Sequence, residues 1–361
     1  MGSRDIPLSG GRTVNRAVLK VGVDIGGTNI RVGFVRPETL RPVDFHRQRI
    51  PRTLREPDLP AALKDACRRI LDRTRVLETR GFRVVREVGV SAPGAYLADG
   101  RVHPGTVPNI PFLENTRLFT LFAQEMGPEW RVTPSHINND GVLQGLVMAD
   151  RYAAAAGMRR GTLVALIPGT GCGAGVYRVK DGEVVPVQGP QQLFDVIVSR
   201  SVAGEPLPDG GMARGGEPLT AEDLVSGRAL DRYGRFLFGR DVDGAELSDM
   251  ACRRLPSLAR RGARLAFRRV GEDLAALVRI LRSGRYQKKY VPFRPNTRGV
   301  RVFLLGGTWL LRGAGLRFSL PEARRRLPKG VVFVTADHIP GVKAIAPYLG
   351  VAGASLAIHT K

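Results

Sequence analysis

Two strand–turn–strand units, which begin about 140 residues apart, constrain this chain more than any other feature. The first unit is an apolar alternation over residues 19–34, interrupted by a glycine turn at 26–29. The second unit covers 162–179 and has its own glycine turn at 169–173. Period-two alternation on both sides of a glycine turn predicts a β-hairpin. Units repeated at this distance predict a duplicated domain, because solenoid repeats are much shorter.

The rest of the chain alternates between helical and extended patterns. Apolar residues at helical spacing predict helices over 59–79 and 266–281, and apolar alternation predicts strands over 83–90 and 300–305. Three shorter elements are also predicted: a strand at 135–137, a helix that begins with the capping pair Thr220 and Asp223, and a helix of small residues at 345–359. Alternating strands and helices favour layered α/β architecture, and 361 residues suggest two domains.

The composition is that of a globular protein with a large core, with 43% hydrophobic and 25% charged residues. No apolar run approaches the roughly 20 residues of a membrane span, so we expect a soluble cytoplasmic protein without membrane partners. Residues 1–17 are polar and predict a disordered leader, without the apolar stretch of a secretory signal. Cys67, Cys172 and Cys252 lie far apart, which indicates neither a disulfide framework nor a zinc site.

The charge is strongly positive, with 56 Lys and Arg against 33 Asp and Glu and a formal net charge of +23. Such an excess attracts polyanions, from nucleotides to nucleic acid. The arginines are dispersed, however, and no basic run is longer than Arg324–Arg326. A compositional bias toward arginine explains this pattern without a nucleic-acid partner, although a polyanion-binding role stays open as an alternative.

The first glycine turn has the groups that a phosphate site needs. Its candidate ligands are Asp24, Gly26, Gly27, Thr28, Asn29 and Arg31. Two adjacent glycines let backbone N–H groups approach a phosphate closely. Arg31 adds a cation, and Asp24 at the end of the strand is placed to hold Mg²⁺ through water. The alternative is an ordinary hairpin turn.

The second glycine turn has the same capability. Its candidate ligands are Gly169, Thr170, Gly171 and Gly173. Neither turn has the Walker A pattern, and neither precedes a helix as a dinucleotide fingerprint does. Nucleotide phosphates held between two hairpins are therefore favoured. A glycine turn that serves only close packing is the alternative.

Between the two turns, Asn138-Asn139-Asp140-Gly141 follows the predicted short strand. A carboxylate at a strand end can accept the proton of a hydroxyl group that attacks a γ-phosphate, which makes Asp140 a candidate general base. Asn139 beside it can orient the hydroxyls of the acceptor. An Asx turn that caps the following helix explains the same residues without catalysis.

The order of these motifs resembles the ROK/glucokinase group of sugar kinases, within the actin-like (hexokinase/Hsp70/actin) ATPase superfamily. The segments that carry the resemblance are DIGGTNIRVG at 24–33, SAPG at 91–94, VPNIP at 107–111, NNDG at 138–141, GTGCGAG at 169–175, LVSGRAL at 224–230, LLGG at 304–307 and the Ala/Gly tail at 351–358. The resemblance covers roughly residues 18–358. Its motifs are specific in combination and much less so singly.

The resemblance implies two actin-like (ribonuclease H-like) α/β lobes with mixed sheets and a nucleotide and sugar cleft between them. The small lobe would comprise 18–139 plus 343–361, and the large lobe 140–342. The C-terminal helix would pack back on the first lobe. The implied activity is phosphorylation of a sugar hydroxyl by ATP and Mg²⁺, with Asp140 as general base. Site residues follow from the same resemblance: Gly306 and Gly307 would face the adenosine, and Ser91, Gly94, Asn109 and Asn139 would contact the sugar.

The chain departs from the family pattern after the second turn. Many ROK proteins carry a Glu-x-Gly-His segment there, followed by a zinc-binding cysteine cluster, whereas this chain reads Pro186-Val-Gln-Gly-Pro-Gln-Gln-Leu-Phe-Asp195. We therefore expect no zinc site and an acceptor other than plain glucose. Gln188, Gln191 or Gln192 could replace the missing sugar contacts, and Gln191 is taken as the candidate. A catalytically silent sugar or nucleotide sensor is the alternative function, and a homodimer is possible.

Overall fold

The computed structural model describes residues 16–26, 28–50, 58–97, 99–107, 110–169, 171–187, 193–201, 203–204, 214–253, 257–289, 293–307 and 313–358. Within these ranges the chain forms two mixed five-stranded sheets and a separate two-stranded sheet, with helices packed against the larger sheets. The α/β class predicted from the alternating pattern is confirmed.

The first sheet has the strand order β3-β2-β1-β4-β5. Its strands are β1 (Val18–Ile25), β2 (Asn29–Val35), β3 (Pro42–Arg49), β4 (Arg83–Ala92) and β5 (Ile137–Asn139). The first three strands are antiparallel neighbours, and β4 and β5 continue the sheet parallel to β1. The helices α1 (Leu59–Thr79) and α2 (Leu118–Met126) pack on each other beside this sheet. The hairpin predicted at the first glycine turn is confirmed.

The second sheet repeats this plan with the order β12-β11-β6-β7-β8. Its strands are β6 (Arg160–Pro168), β7 (Cys172–Lys180), β8 (Glu183–Pro186), β11 (Val302–Leu305) and β12 (Val332–Thr335), and β9 (Ile197–Arg200) pairs separately with β10 (Pro218–Thr220). Strands β6, β7 and β8 are antiparallel neighbours, whereas β11 and β12 run parallel to β6. In both sheets an antiparallel trio is extended by two parallel strands on the side of its first member. This shared topology supports the duplication that the two glycine turns predict.

The remaining helices follow β5 in the chain. They are α3 (Asp140–Ala155), α4 (Ala221–Val225), α5 (Gly227–Phe238), α6 (Gly244–Cys252), α7 (Ser257–Ser283), α8 (Leu320–Arg325), α9 (Val342–Ile345) and α10 (Leu349–Leu356). The capping box predicted for Thr220 and Asp223 is present at the start of α4. None of the described helices is both long and apolar enough to cross a membrane.

Two predicted elements need correction. The strand expected at 135–137 begins at Ile137, because Pro134 starts a 3₁₀ turn that occupies Pro134–His136. Proline suits the first turn of a helix, where its fixed φ is favourable and its missing N–H is not needed. The single helix expected over 345–359 is divided into α9, a 3₁₀ turn over Ala346–Tyr348 and α10, with Pro347 at the interruption.

Alternate residues of β1 face opposite helical layers. Leu19, Val21 and Val23 join the apolar core that includes residues of α1. Lys20, Gly22 and Asp24 point to the other side, where α10 lies. Because side chains alternate along a strand, a single strand divides its residues cleanly between the two layers.

Helix α10 rests directly on a row of three glycines that are register partners across the first sheet, Gly33, Gly22 and Gly89. A methyl group on Gly22 or Gly89 would overlap the backbone carbonyls of α10, and one on Gly33 would overlap Val351. The row therefore admits the helix only because these positions have no side chain. This packing of the C-terminal helix on the first sheet is the one that the resemblance implies.

The opposite face of α10 contacts α3, and α3 in turn packs on β6 and β7 of the second sheet. Gly353 allows this approach, since a methyl group there would overlap the carbonyl of Leu143. Lys20 donates a hydrogen bond of 2.5 Å from Nζ to the carbonyl of Ile358, just beyond the end of α10. Two helices, α10 and α3, are therefore the layer that joins the two sheets.

We predict that Gly22→Ala destabilises the protein by about 1–3 kcal/mol, because an added methyl group forces α10 away from the sheet. Gly262→Ala is the matched control: its new methyl group would lie 4.0 Å from its nearest neighbours on an open face of α7. Alanine stabilises a helix interior by roughly 1 kcal/mol relative to glycine. Denaturant unfolding of both variants checks this, and equal stability of Gly22→Ala and the wild type would contradict the packing argument.

Candidate active site

Asp140 is the first residue of α3 and directly follows β5. Asn139 caps the helix: its Oδ1 accepts hydrogen bonds from the backbone N–H groups of Gly141 at 2.9 Å and Val142 at 3.3 Å. Its Nδ2 donates to the carbonyl of Gly94 at 3.0 Å. Asn139 thus performs the capping, while Asp140 accepts one short bond from the N–H of Gly141 at 2.8 Å. The Asx cap and a catalytic carboxylate are compatible, because different side chains supply them.

A close backbone contact brings Asp140 to the second glycine turn. A methyl group on Gly141 would lie 2.6 Å from Cα of Gly173, so the start of α3 and the start of β7 touch through two glycines. Gly173 pairs with Ile167 across the second hairpin. The predicted catalytic residue and the predicted phosphate turn are therefore neighbours in space, although about 30 residues separate them in the chain.

The Asp140 carboxyl group is half-buried, and its environment disfavours ionisation. Burial raises the pKa of Asp140 above its ordinary value, and the negative charge of Asp24 raises it further, whereas the hydrogen bond from Gly141 lowers it. Burial and the charge of Asp140 likewise raise the pKa of Tyr96. A carboxylate with a raised pKa is a stronger base, which suits removal of a proton from a hydroxyl group.

Asp24 is the centre of a buried polar network at the end of β1. Arg31 donates from Nη1 to its Oδ2 at 2.6 Å, and Ser91 donates from Oγ to its Oδ1 at 2.8 Å. Both partners are register neighbours of Asp24, one on β2 and the other on β4. The carboxyl group also lies against Gly350 in the first turn of α10, where unpaired helix N–H groups favour negative charge.

Three residues that we predicted separately are thus joined in one network: Asp24 for the metal, Arg31 for phosphate and Ser91 for sugar. The guanidinium of Arg31 is half-buried and can offer other N–H groups, while each Asp24 oxygen has further acceptor capacity. A ligand at this point would therefore add to the network rather than meet free side chains.

The described part of the first turn is a closed hairpin. Gly26 donates its backbone N–H to the carbonyl of Asn29 at 2.9 Å, and the Asn29 amide donates to Thr28 at 2.8 Å. Arg47 on β3 donates to the Asn29 side chain at 3.0 Å, which adds a second cation to this edge. Thr28 is exposed and Asn29 half-buried, so both are accessible to a ligand.

The second turn is held by its own backbone and by the start of α5. The N–H of Gly169 donates to the carbonyl of Gly171 at 2.8 Å, and the N–H of Gly227 donates to the carbonyl of Gly169 at 2.7 Å. Gly307, at φ +87°, packs its backbone against Pro168, where a side chain would overlap the Pro168 carbonyl. Gly306 lies beside Ile167 and Met148. The glycine pair after β11 therefore adjoins the entry of the second turn.

Glu222 is a residue of this site that sequence reasoning missed. Its carboxyl group accepts a hydrogen bond from the N–H of Cys172, and a methyl group on Gly171 would lie 3.2 Å from Oε2. Arg228 lies 3.3 Å away and lowers the pKa of Glu222, but burial is the larger effect and raises it. The available signal was the capping box of α4, which places Glu222 in the first turn of a helix.

Four predicted residues lie outside the described residues: Gly27, Asn109, Thr170 and Gln191. Gly94, another predicted sugar contact, lies at φ +114°, a conformation that favours glycine.

Within the described ranges no three His, Cys, Asp or Glu side chains form a metal-binding group. Asp24, which we predict to hold Mg²⁺ through water, is a carboxylate of the kind that this ion takes together with water and phosphate ligands.

Solved structures share this arrangement of sheets. A ROK hexokinase from Thermus thermophilus is 24% identical, with a TM-score of 0.61 over 94% of this chain and 97% of that chain. A ROK family glucokinase from Streptomyces griseus, solved with glucose and AMPPNP, is 21% identical, with a TM-score of 0.58 over 93% of this chain and 98% of that chain.

A ROK family transcriptional regulator, a homologue of the E. coli MLC protein, is 13% identical, with a TM-score of 0.58 over 95% of this chain and 81% of that chain. Neither a protein-family model nor a curated protein sequence matches the chain. The likeness thus extends over nearly the whole chain and is one of structure. The chain has the two-lobed fold of the ROK sugar kinases, and the resemblance drawn from its motifs is confirmed at the level of the fold.

Proposed function

We propose that the protein is an ATP-dependent carbohydrate kinase that uses Mg²⁺ and transfers a phosphoryl group to a sugar hydroxyl. One observation carries this proposal: Asp140, a carboxylate of raised pKa, adjoins the second hairpin turn and is influenced by the charge of Asp24 at the first turn. We propose on this basis that the two turns and the candidate base belong to one site. Structures of ROK sugar kinases with the same fold support the assignment.

In the proposed reaction, Asp140 accepts the proton of the acceptor hydroxyl while that oxygen bonds to the γ-phosphorus of ATP. The bond from the γ-phosphorus to the bridging oxygen breaks, and ADP leaves with that electron pair. Asp24 would hold Mg²⁺ through water, and the ion would neutralise charge on the phosphates. Positioning and electrostatics supply most of the acceleration in such transfers, so the backbone of both turns is as important as the base.

The sugar contacts follow from hydrogen-bonding capacity. Asn139 already uses its oxygen twice and its amide group once, so one N–H is left for a sugar hydroxyl. Ser91 donates to Asp24 and keeps its acceptor lone pairs. We propose that Asn109 and Gln191 supply further neutral contacts, and that the acceptor is a hexose or hexose derivative other than plain glucose.

We further propose the lobes at the boundaries inferred from the sequence, 18–139 with 343–361 and 140–342. The contact of α10 with the first sheet supports the assignment of the second segment to the small lobe. The alternative function is a silent sensor of sugar or nucleotide on the same fold. The altered segment at 186–195 and the regulator with this fold favour that alternative, whereas the intact surroundings of Asp140 oppose it.

We expect Asp140→Asn to reduce turnover by about 10²–10⁴-fold, because the amide cannot accept the hydroxyl proton. ADP release with Mg-ATP is measured over a panel of hexoses, N-acetyl and amino sugars, and uronic acids. Asp65→Asn, the same change on the exposed face of α1, is the control and should retain activity. Silence of the wild type on every sugar, with ATP binding intact, would favour the sensor.

The rate should fall as the pH drops through the raised pKa of Asp140, because protonation removes the base. Since the negative charge of Asp24 contributes to that raised pKa, Asp24→Asn should move the acid limb of kcat/KM to lower pH. The pH midpoint is the readout, because the height of the profile also reflects the role of Asp24 in binding. An unchanged midpoint would show that the two carboxyl groups are not coupled.

A further inference from the structure

An open depression at the C-terminal end of α7 is lined by three arginines. It measures about 400 Å³ and is lined by Arg279, Arg282, Ser283, Arg298, Gly299 and Pro328. Three of the six lining residues are arginines, and none is acidic.

The surrounding sequence contains no compensating charge. Between Asp273 and Glu322 the chain has no acidic residue at all. The same stretch includes the basic residues Arg279, Arg282, Arg285, Lys288, Lys289, Arg294, Arg298, Arg301, Arg312 and Arg317. This stretch therefore carries a local excess of ten positive charges.

The three arginines that line the depression lack the ion pairs that the neighbouring Arg326 forms. Arg326, close by, is bonded to both Glu272 and Glu322. Among the described residues, none of the three lining arginines forms a salt bridge, and Arg279 uses one N–H group on the carbonyl of Arg326 at 3.1 Å. Each guanidinium carries five N–H donors, so all three lining arginines keep donors for an anion.

The arginines are not needed to cap the end of α7. The carbonyl of Leu281 accepts from the N–H of Gly284 and from Thr297 Oγ1, and the carbonyl of Arg282 accepts from the N–H of Gly299. These bonds hold the loop at 297–299 against the helix end. The backbone thus brings Arg298 beside the last turn of α7 before any ligand arrives.

We propose that this depression is a second anion-binding site, which takes the phosphoryl group of a phosphate monoester or inorganic phosphate. Arginine suits this ligand because its planar guanidinium can donate two parallel hydrogen bonds to phosphate oxygens. The site lies at the start of β11, whereas Gly306 lies beyond its end. The four residues of β11 span roughly 13 Å, so a phosphate ion in the depression would not reach the glycine pair at 306–307.

The proposal depends on these contacts and not on kinase activity. The test is calorimetric titration of the full chain with inorganic phosphate, pyrophosphate and glucose 6-phosphate, with the nucleotide site saturated by Mg-AMPPNP. We expect saturable binding of one equivalent of at least one of these anions. The Arg279→Gln/Arg298→Gln variant should weaken it at least tenfold. Comparing the titration with inorganic phosphate and the titration with glucose 6-phosphate shows whether the ligand is the free ion or a phosphate monoester.

The matched control is Arg285→Gln/Arg301→Gln, which removes the same charge from two exposed arginines outside the lining. It should change the affinity less than threefold, and thermal unfolding should show that both variants are folded. No saturable binding by the wild type, or equal weakening in both variants, would overturn the proposal. Binding of a single-stranded oligonucleotide through the lining arginines, with no binding of the small anions, would replace it with a nucleic-acid surface.

Discussion

The contact between α10 and the glycine row of the first sheet is the constraint on which the rest of the structure depends. One face of β1 presents Lys20, Gly22 and Asp24 in succession, and all three meet α10 or the residue that follows it. Because α10 also packs on α3, this contact sets the position of one sheet relative to the other. The position of Asp140 at the start of α3 is therefore linked to the position of Asp24.

The residues of the candidate site make structural hydrogen bonds and still have hydrogen-bonding capacity for a ligand. Asn139 caps a helix with the same side chain that we propose as a sugar contact, and Arg31 is held by Asp24 while offering further donors. Groups fixed in this way lose little freedom when a ligand binds, which is the condition for effective positioning. The negative charge of Asp24, the residue that we propose to hold Mg²⁺, also raises the pKa of Asp140, which favours a strong base there.

Caps, apolar spacing and alternation along the chain predicted most of the fold, whereas contacts between distant segments could not be predicted from these local patterns. Helix α1 has the predicted bounds because Asp58 caps it and apolar residues follow at helical spacing. Both hairpins were visible as alternation around glycine. Glu222 was missed because it reaches the second turn through tertiary packing, and the bonds of Arg31 and Ser91 to Asp24 depend on the register of three strands, which alternation alone does not determine. Apolar patterning also missed two 3₁₀ turns: the one that Pro134 starts before β5, and the one at Pro347 that interrupts the C-terminal helix.

The bond between Lys20 and Ile358 joins residues 338 positions apart, and it has a consequence for biosynthesis. A nascent chain can form the β1–β2 hairpin early, but the glycine row stays uncovered until α10 has been made. Domains usually fold as they emerge from the ribosome, and exposed apolar or unpaired surface invites aggregation. Here the first sheet must wait for a distant helix, so it cannot reach its native packing until synthesis has passed residue 358.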